Sequence, residues 1–238
     1  MPTQPYKRAF DPALVTPQLA EAIIAANTEM DEKPLRIPGT TTVIGRFKES
    51  GALIYWANQE GLAGRPIRGP ESRVEQACEA GTLAHAMIEA DIRGKDRPDI
   101  SRYPLNIVEK AQSGFAAYLE WRRQTQLQPV HTEMPLTSAV WMYGGTLDAM
   151  LVGGKLSLGD WKTSNSVYMD HLLQLAAYRN LWEENFPEQP IHGLHLLRFS
   201  KEGGDFAHHF WSELNFAWEM FKHLRISYEL DKIVKRRL

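Results

Sequence analysis

Two strand-like segments in the middle of the chain carry acidic side chains in apolar surroundings. In LSLGDWK, residues 156–162, strand alternation places Asp160 and Lys162 on one face together with two leucines. The preceding segment, GTLDAMLV, carries Asp148 among apolar residues. A carboxylate in such a strand is costly to bury unless it is paired or bound to a metal. Asp148, Asp160 and Lys162 are therefore candidate catalytic residues.

The register between these two segments decides whether the acids meet. A strict two-residue turn at Gly153–Gly154 would leave Asp160 on the face opposite Asp148, whereas an odd-length loop or one bulge would bring the two together. Two adjacent carboxylates repel each other unless a cation lies between them, and oxygen ligands suit Mg²⁺ or Mn²⁺. We predict an odd-length connection or a bulge. The alternative is an ordinary Asp160–Lys162 salt bridge with Asp148 at a turn.

Four further polar residues could lie beside these acids. His85 belongs to the apolar stripe of a predicted helix, with Gly81 one turn earlier. Gln174 and Tyr178 are spaced i,i+4 and would share one face of the helix that follows the second acid. Glu133, in VHTEMPL, is a strand acid that could face either side of a sheet. A core histidine and ordinary helix packing are the alternative interpretations.

The surrounding pattern predicts a strand meander between helices. Thr16 and Pro17 begin a helix, and the prolines of residues 1–39 predict an extended arm around it. TTVIGRF is strand-like, although Thr40–Thr42 could instead begin a helix. Further helices are predicted over 52–61, 71–93, 105–124, 170–185 and 214–234, and strands within 130–164, 191–200 and 206–211, with turns at Gly144–Gly145 and Gly153–Gly154. This order predicts the α/β class in its α+β form, with a central mixed sheet flanked by helices.

Composition excludes several other classes of protein. The chain has 238 residues, a net charge of −2, 43% hydrophobic and 24% charged residues, which is typical of globular domains. No stretch approaches the ~20 apolar residues that span a bilayer, and the N-terminal segment lacks a signal-peptide pattern. The single cysteine, Cys78, excludes an intramolecular disulfide and a four-cysteine metal site. Basic residues at 64–73 and 223–238 are either phosphate-binding patches or ordinary solvated surface.

Four short motifs occur in a fixed order along the chain. They are GTLAH at 81–85, GGTLD at 144–148, GDWKTS at 159–164 and QLAAY at 174–178. This ordered set resembles the RecB-like branch of the PD-(D/E)XK nuclease superfamily, which includes bacteriophage exonuclease-type proteins and CRISPR adaptation nucleases. The resemblance extends to residues 40–61, which are similar to a helical region of phage members. It implies a restriction-endonuclease-like core in one domain over 40–238, after the arm at 1–39.

The resemblance implies phosphodiester hydrolysis with Mg²⁺ or Mn²⁺. It assigns the metal to His85, Asp148, Asp160 and the Trp161 carbonyl. Lys162 would orient the attacking water or stabilise negative charge in the transition state. Gln174 and Tyr178 would contact the nucleic-acid backbone or order the site. Glu133, which corresponds to an upstream strand acid of several members, is the last candidate catalytic residue.

The resemblance also implies DNA as the partner, single- or double-stranded, and an exonuclease of recombination, repair or phage DNA processing. A homo-oligomer or a recombination partner protein is a further expectation, as is the cytoplasm of a bacterial or phage-infected cell, with no membrane association. Two departures stand out. The second acid is Asp160 where many members have Glu, and the cysteines of an iron–sulfur cluster are missing.

Two other functions fit parts of the pattern. A glycosidase could use Asp148 and Asp160 as acid and base, but this leaves Lys162 and His85 without a role. A non-catalytic DNA-binding or protein-binding module could keep the nuclease fold. The sequence leaves open exonuclease or endonuclease action, polarity, DNA or RNA, and the number of metal ions.

Overall fold

The computed structural model describes residues 16–28, 37–48, 51–164, 166–199, 205–236 and 238, so most of the predicted arm at 1–39 lies outside the described residues. Seven helices and five strands follow one another in these ranges. The helices are α1 Pro17–Thr28, α2 Thr40–Arg46, α3 Gly51–Leu62, α4 Arg73–Ile92, α5 Leu105–Thr125, α6 Met169–Asn185 and α7 Asn215–Lys235. The strands are β1 Gln128–Ser138, β2 Tyr143–Val152, β3 Leu156–Lys162, β4 Leu194–Phe199 and β5 Phe206–Trp211.

The five strands form one mixed sheet in the order β1-β2-β3-β4-β5. Neighbouring strands are antiparallel except β3 and β4, which are parallel because α6 forms the crossover between them. This mixed sheet with flanking helices confirms the predicted α+β class and is consistent with a restriction-endonuclease-like core. Among the described helices, none combines the length and apolar character that crossing a bilayer requires.

Two hydrophobic clusters stabilise the sheet. One contains Ile23 of α1, Val43 of α2, Leu181 of α6 and Phe221 of α7, together with inward-facing strand residues. The other joins α4 and α5 to the sheet and includes Leu83 and several aromatic side chains. Helices therefore cover the sheet with two separate apolar layers, as expected for a sheet that must bury both faces.

Two predicted local structures are wrong. Residues 40–46 form helix α2, the alternative that the sequence left open, and not a strand, because Val43 and Ile44 bury one helical face while the hydroxyl of Thr40 donates to the carbonyl of Gly144 at 3.0 Å. Gly144–Gly145 is not a turn either, since both residues lie inside β2 and the turn occupies 139–142. Gly145 instead allows close approach of α2 and α6 to the strand, and Gly144 allows close approach of β1.

The basic C-terminal segment is largely paired within the protein. Arg225 is 1% exposed, and its guanidinium donates to the Met142 carbonyl and to the Glu229 carboxylate. Lys232 pairs with the same glutamate at 3.0 Å, and Lys235 lies 3.1 Å from Asp231. The segment thus anchors α7 to the sheet rather than presenting a row of unpaired cations.

The close packing at Gly145 makes a stability prediction. A Cβ atom there would lie 2.5 Å from the ring of buried Tyr178 and 2.9 Å from the Thr40 hydroxyl. Gly145→Ala should therefore lower the free energy of unfolding by about 1–3 kcal/mol. Gly45→Ala is the matched control, because a Cβ atom there meets nothing within 4 Å. This change should stabilise helix α2 slightly, since alanine favours a helix over glycine. Equal stability of the two variants in urea unfolding would contradict this packing.

Candidate metal centre

The β2–β3 hairpin brings the two strand acids opposite each other. Val152 pairs with Leu156, so the loop holds three residues, and Ala149 pairs with Gly159. Extending this register by one residue places Asp148 opposite Asp160. The predicted odd-length connection is therefore confirmed. Gly154 supplies the left-handed turn residue, with φ of 88°.

Three potential ligand atoms converge beside this hairpin. One atom each from His85, Glu133 and Asp148 lies within 4.8 Å of the other two. His85 Nδ1 is 4.0 Å from Asp148 Oδ2. An imidazole nitrogen and two carboxylates at this spacing form a donor set that suits a divalent cation such as Mn²⁺ or Mg²⁺.

Helix α4 presents His85 to an open cleft and not to the core. The helix is capped by the Ser72 hydroxyl, which accepts from the Glu75 amide. Its buried face consists of other residues: Ala80, Leu83, Ala84, Met87 and Ile88. Val74, Ala77, Cys78 and Gly81 of the same stripe line the cleft with His85, which does not support the alternative of a core histidine. Gly81 lets α4 approach β3, since a Cβ there would lie 2.9 Å from the Thr163 hydroxyl.

Glu133 reaches the cluster from an unusual backbone conformation. Its φ is 50°, inside strand β1, where a non-glycine residue rarely adopts the left-handed region. Its neighbours Thr132 and Met134 pair with Ala149 and Leu147, so Glu133 lies opposite Asp148. Burial, reinforced by the Asp148 carboxylate, raises the pKa of Glu133 although His85 opposes the shift. A residue with an unfavourable backbone conformation, whose carboxylate lies near another acid, is typical of a functional position.

Asp160 lies behind this cluster and is fully buried. Its Oδ2 is 2.5 Å from Lys162 Nζ, yet neither oxygen has a hydrogen bond of acceptable geometry within the described part of the chain. Burial raises the pKa of Asp160, and Lys162 offsets only part of that effect. Burial alone would lower the pKa of Lys162, but the Asp160 and Asp148 carboxylates outweigh burial and raise it. The ammonium is therefore held in its charged form.

Backbone groups fix the orientation of Asp148. The amide of Trp161 donates to Asp148 Oδ2 at 2.8 Å, and the Thr132 hydroxyl donates to the Asp148 carbonyl at 2.7 Å. The indole of Trp161 is buried in the cluster formed by α4 and α5. Trp161 therefore contacts the site through its backbone N–H. Contact of its carbonyl with a metal stays a prediction.

Gln174 and Tyr178 form a pair on α6 behind the centre. Gln174 Nε2 donates to the Tyr178 hydroxyl at 2.8 Å. Burial and the nearby Asp160 and Asp148 carboxylates raise the pKa of Tyr178, so the phenol stays neutral. Neither residue lines the cleft. This arrangement suits ordering of the site better than direct contact with nucleic acid.

The centre lies in a cleft of about 1480 Å³. Besides His85, Glu133, Asp148 and Lys162, the wall contains side chains that the sequence did not indicate as functional: Lys48, Trp56, Cys78 and Tyr168. It also contains Arg73, which belongs to the basic segment 64–73 that the sequence indicated as a possible phosphate-binding patch. The aromatic residues carried no such signal, since one lies in a helix and the other in a connecting segment.

The residues present fit a divalent cation. The cluster and Asp160 supply three carboxylates, and two cations lie near them: Lys162 beside Asp160, and Arg93, which is paired with Glu89 at 2.8 Å. The Asp160 carboxylate is fully buried, and among the described residues the structure shows one cation against it, the Lys162 ammonium at 2.5 Å from Oδ2. Carboxylates that are held close together in a partly buried site are stabilised by a bound cation. His85, Glu133 and Asp148 would hold the ion, with Asp160 adjacent.

Comparisons with known proteins found similar structures but no matching sequence family. No family of known proteins matches the chain, and no curated protein does so either. A crystal structure of a Eubacterium rectale protein, provisionally named an exonuclease, aligns over 74% of this chain and 71% of its own, at 11% identity and a TM-score of 0.48. A structure of a protein named SSO0001 aligns over 74% and 87%, at 14% identity and a TM-score of 0.31.

The cluster makes a prediction about metal affinity. Glu133→Gln removes one charged ligand and should weaken Mn²⁺ binding about tenfold or more in calorimetry. Glu79→Gln is the control, because this glutamate is exposed on α4, the helix that carries His85, and does not line the cleft. Unchanged affinity in Glu133→Gln would show that the ion, if bound, lies elsewhere.

The same experiment has a defined pH dependence. A ligand carboxylate must be deprotonated to bind the ion. Because the pKa of Glu133 is raised, protons compete for it at a higher pH than for an ordinary glutamate. Mn²⁺ affinity should therefore fall as pH is lowered from about 8 to about 5, and fall less steeply in Glu133→Gln. Parallel pH profiles of the two proteins would contradict the assignment.

Proposed function

We propose that this protein is a divalent-metal-dependent nuclease that hydrolyses phosphodiester bonds of DNA. The observation that supports the proposal is the convergence of His85, Glu133 and Asp148 ligand atoms within 4.8 Å, in a cleft that Lys162 also lines. A phosphodiester is an anion, and its hydrolysis adds negative charge at the phosphate. A site that combines a candidate metal with a partly buried ammonium is suited to stabilising that charge.

Each residue has a distinct task in this proposal. A bound Mg²⁺ or Mn²⁺ supplies a Lewis acid that lowers the pKa of water and neutralises phosphate charge. The ammonium of Lys162 donates to the attacking water or to a phosphate oxygen as charge develops. Asp160 keeps this ammonium charged and fixed, at 2.5 Å from its Oδ2. The Trp161 amide holds Asp148 in the orientation that the site requires.

The finer parts of the proposal come from the resemblance to RecB-like PD-(D/E)XK nucleases. They are exonuclease action in recombination, repair or phage DNA processing, in the cytoplasm of a bacterial or phage-infected cell. The order of the four motifs supports them, and the positions of His85, Asp148, Asp160 and Lys162 are compatible with the roles that the resemblance implies. A homo-oligomer or a recombination partner protein belongs to the same proposal.

Single-turnover cleavage tests the role of the lysine. Lys162→Ala deletes the cation at the reacting phosphate and should lower the cleavage rate roughly 100-fold. Mn²⁺ affinity should not fall, because a repelling charge has been removed. Lys155→Ala is the matched control, since this lysine lies in the hairpin loop and is exposed. Full activity of Lys162→Ala would leave this residue as an ordinary salt-bridge partner.

Loss of a metal ligand separates catalysis from binding. Asp148→Asn should abolish cleavage of linear DNA in Mg²⁺ or Mn²⁺, while binding of that DNA in Ca²⁺ persists. The wild-type reaction should stop in EDTA. Binding by the wild-type protein without cleavage in any of these metals would instead favour the non-catalytic module that keeps the nuclease fold.

A further inference from the structure

The cleft extends well beyond the metal centre along α4. Residues from Arg73 to Glu89 line it, which corresponds to about 24 Å of helix at 1.5 Å per residue. His85 lies twelve positions after Arg73, or about 18 Å along the axis. A substrate bound at the centre would therefore also lie against the first turns of α4. The side chains there determine what kind of substrate fits.

Charge in the cleft does not match a DNA duplex. The charged side chains of its wall comprise three cations and three carboxylates, namely Lys48, Arg73 and Lys162 against Glu89, Glu133 and Asp148. Two of these cations are paired, since Lys48 lies 2.7 Å from Asp170 and Lys162 contacts Asp160. A duplex presents one phosphate charge per about 1.7 Å of axis and is bound by rows of lysine and arginine. The described residues of this wall do not form such a row.

Apolar and aromatic side chains line the same cleft as Arg73 and the metal centre. On α4, Val74 is 41% exposed and Cys78 is also exposed. Trp56 of α3 lines the cleft and has no ring partner among the described residues. Tyr168 is 49% exposed at the start of α6, where its amide donates to His171 Nδ1. Flat apolar surfaces of this kind bind unstacked bases.

One cation is placed to hold a phosphate at the far end of the cleft. Arg65 makes two hydrogen bonds to the buried Glu60 carboxylate, at 2.8 and 2.7 Å. Arg73 approaches the same carboxylate only to 3.7 Å, and its side chain is 66% exposed. Because Arg65 already neutralises Glu60, the guanidinium of Arg73 is available to an anion in the cleft.

We propose that the cleft binds single-stranded nucleic acid, with bases stacked on Trp56 and Tyr168 and a backbone phosphate at Arg73. This inference rests on the proposed nuclease function and names its substrate class. The distance of about 18 Å from Arg73 to the centre corresponds to about five nucleotides at the stacked spacing of 3.4 Å, and fewer in an extended strand. A single strand exposes both the bases and the flexible backbone that this wall requires.

Fluorescence anisotropy in Ca²⁺ tests the substrate class. The probes are a labelled thymidine strand of about 12 nucleotides, its uridine counterpart and a blunt duplex of the same length. The single strands should bind at least about fivefold more tightly than the duplex. Comparison of the affinities for the thymidine and uridine strands shows whether the cleft prefers DNA or RNA. Tighter binding of the duplex would overturn the inference.

Aromatic variants test the stacking itself. Trp56→Ala and Tyr168→Ala should each weaken single-strand binding about fivefold or more. Tyr168→Phe should bind the single strand as tightly as the wild-type protein, because the aromatic ring is retained. Tyr55→Ala is the matched control, since Tyr55 adjoins Trp56, is 68% exposed and does not line the cleft. If Trp56→Ala does not fold, the Tyr168 variants decide the question alone.

The outcomes separate this inference from the proposed function. Wild-type affinity in both alanine variants would overturn the stacking inference, even if metal-dependent cleavage is observed. Single-strand binding that depends on Trp56 and Tyr168, without cleavage in Mg²⁺ or Mn²⁺, would support the inference on what the cleft binds while contradicting the nuclease function.

Discussion

Burial of the Asp160 carboxylate opposite Asp148 is the constraint on which the rest of the site depends. Asp160 is 0% exposed, and an ionised carboxylate in such a place is unstable without a cation. Lys162 supplies one positive charge, and Asp148 adds a second negative charge across the hairpin. Glu133 and His85 then complete a cluster with more negative than positive charge. Neighbouring groups hold this cluster in place: the Trp161 amide donates to Asp148, and Tyr178 pairs with Gln174 behind the centre.

The elements of the fold were predictable where local patterns decide them. The long helices α4, α5, α6 and α7 showed helical spacing and clear ends, and the structure has them close to the predicted bounds. The errors occurred where tertiary contacts decide. β-Branched residues at 41–44 favoured a strand. The segment forms helix α2 instead, because this conformation buries Val43 in the hydrophobic cluster that packs on the sheet. Gly144–Gly145 looked like a turn because the sequence does not show that Tyr178 packs against that strand.

The candidate site was predictable to the extent that it depends on strand alternation and loop length. The meeting of Asp148 and Asp160 followed from a three-residue hairpin loop, which the sequence allowed but did not require. The inclusion of Glu133 did not follow, since its left-handed backbone conformation is set by surrounding structure. His85 could have been read as a core histidine, because the small residues around it on α4 resemble an apolar core stripe, but they face the cleft. Trp56 and Tyr168 join the cleft only through packing between distant elements.

The most direct measurement is the position of Mn²⁺ in crystals of the protein soaked with the ion, located by anomalous scattering. The account predicts a peak within about 2.0–2.4 Å of side-chain atoms of Asp148 and at least one of His85 and Glu133. It also predicts that the peak disappears in crystals of Asp148→Asn. An ion bound away from these residues, or a cluster that remains metal-free at saturating Mn²⁺, would contradict the account.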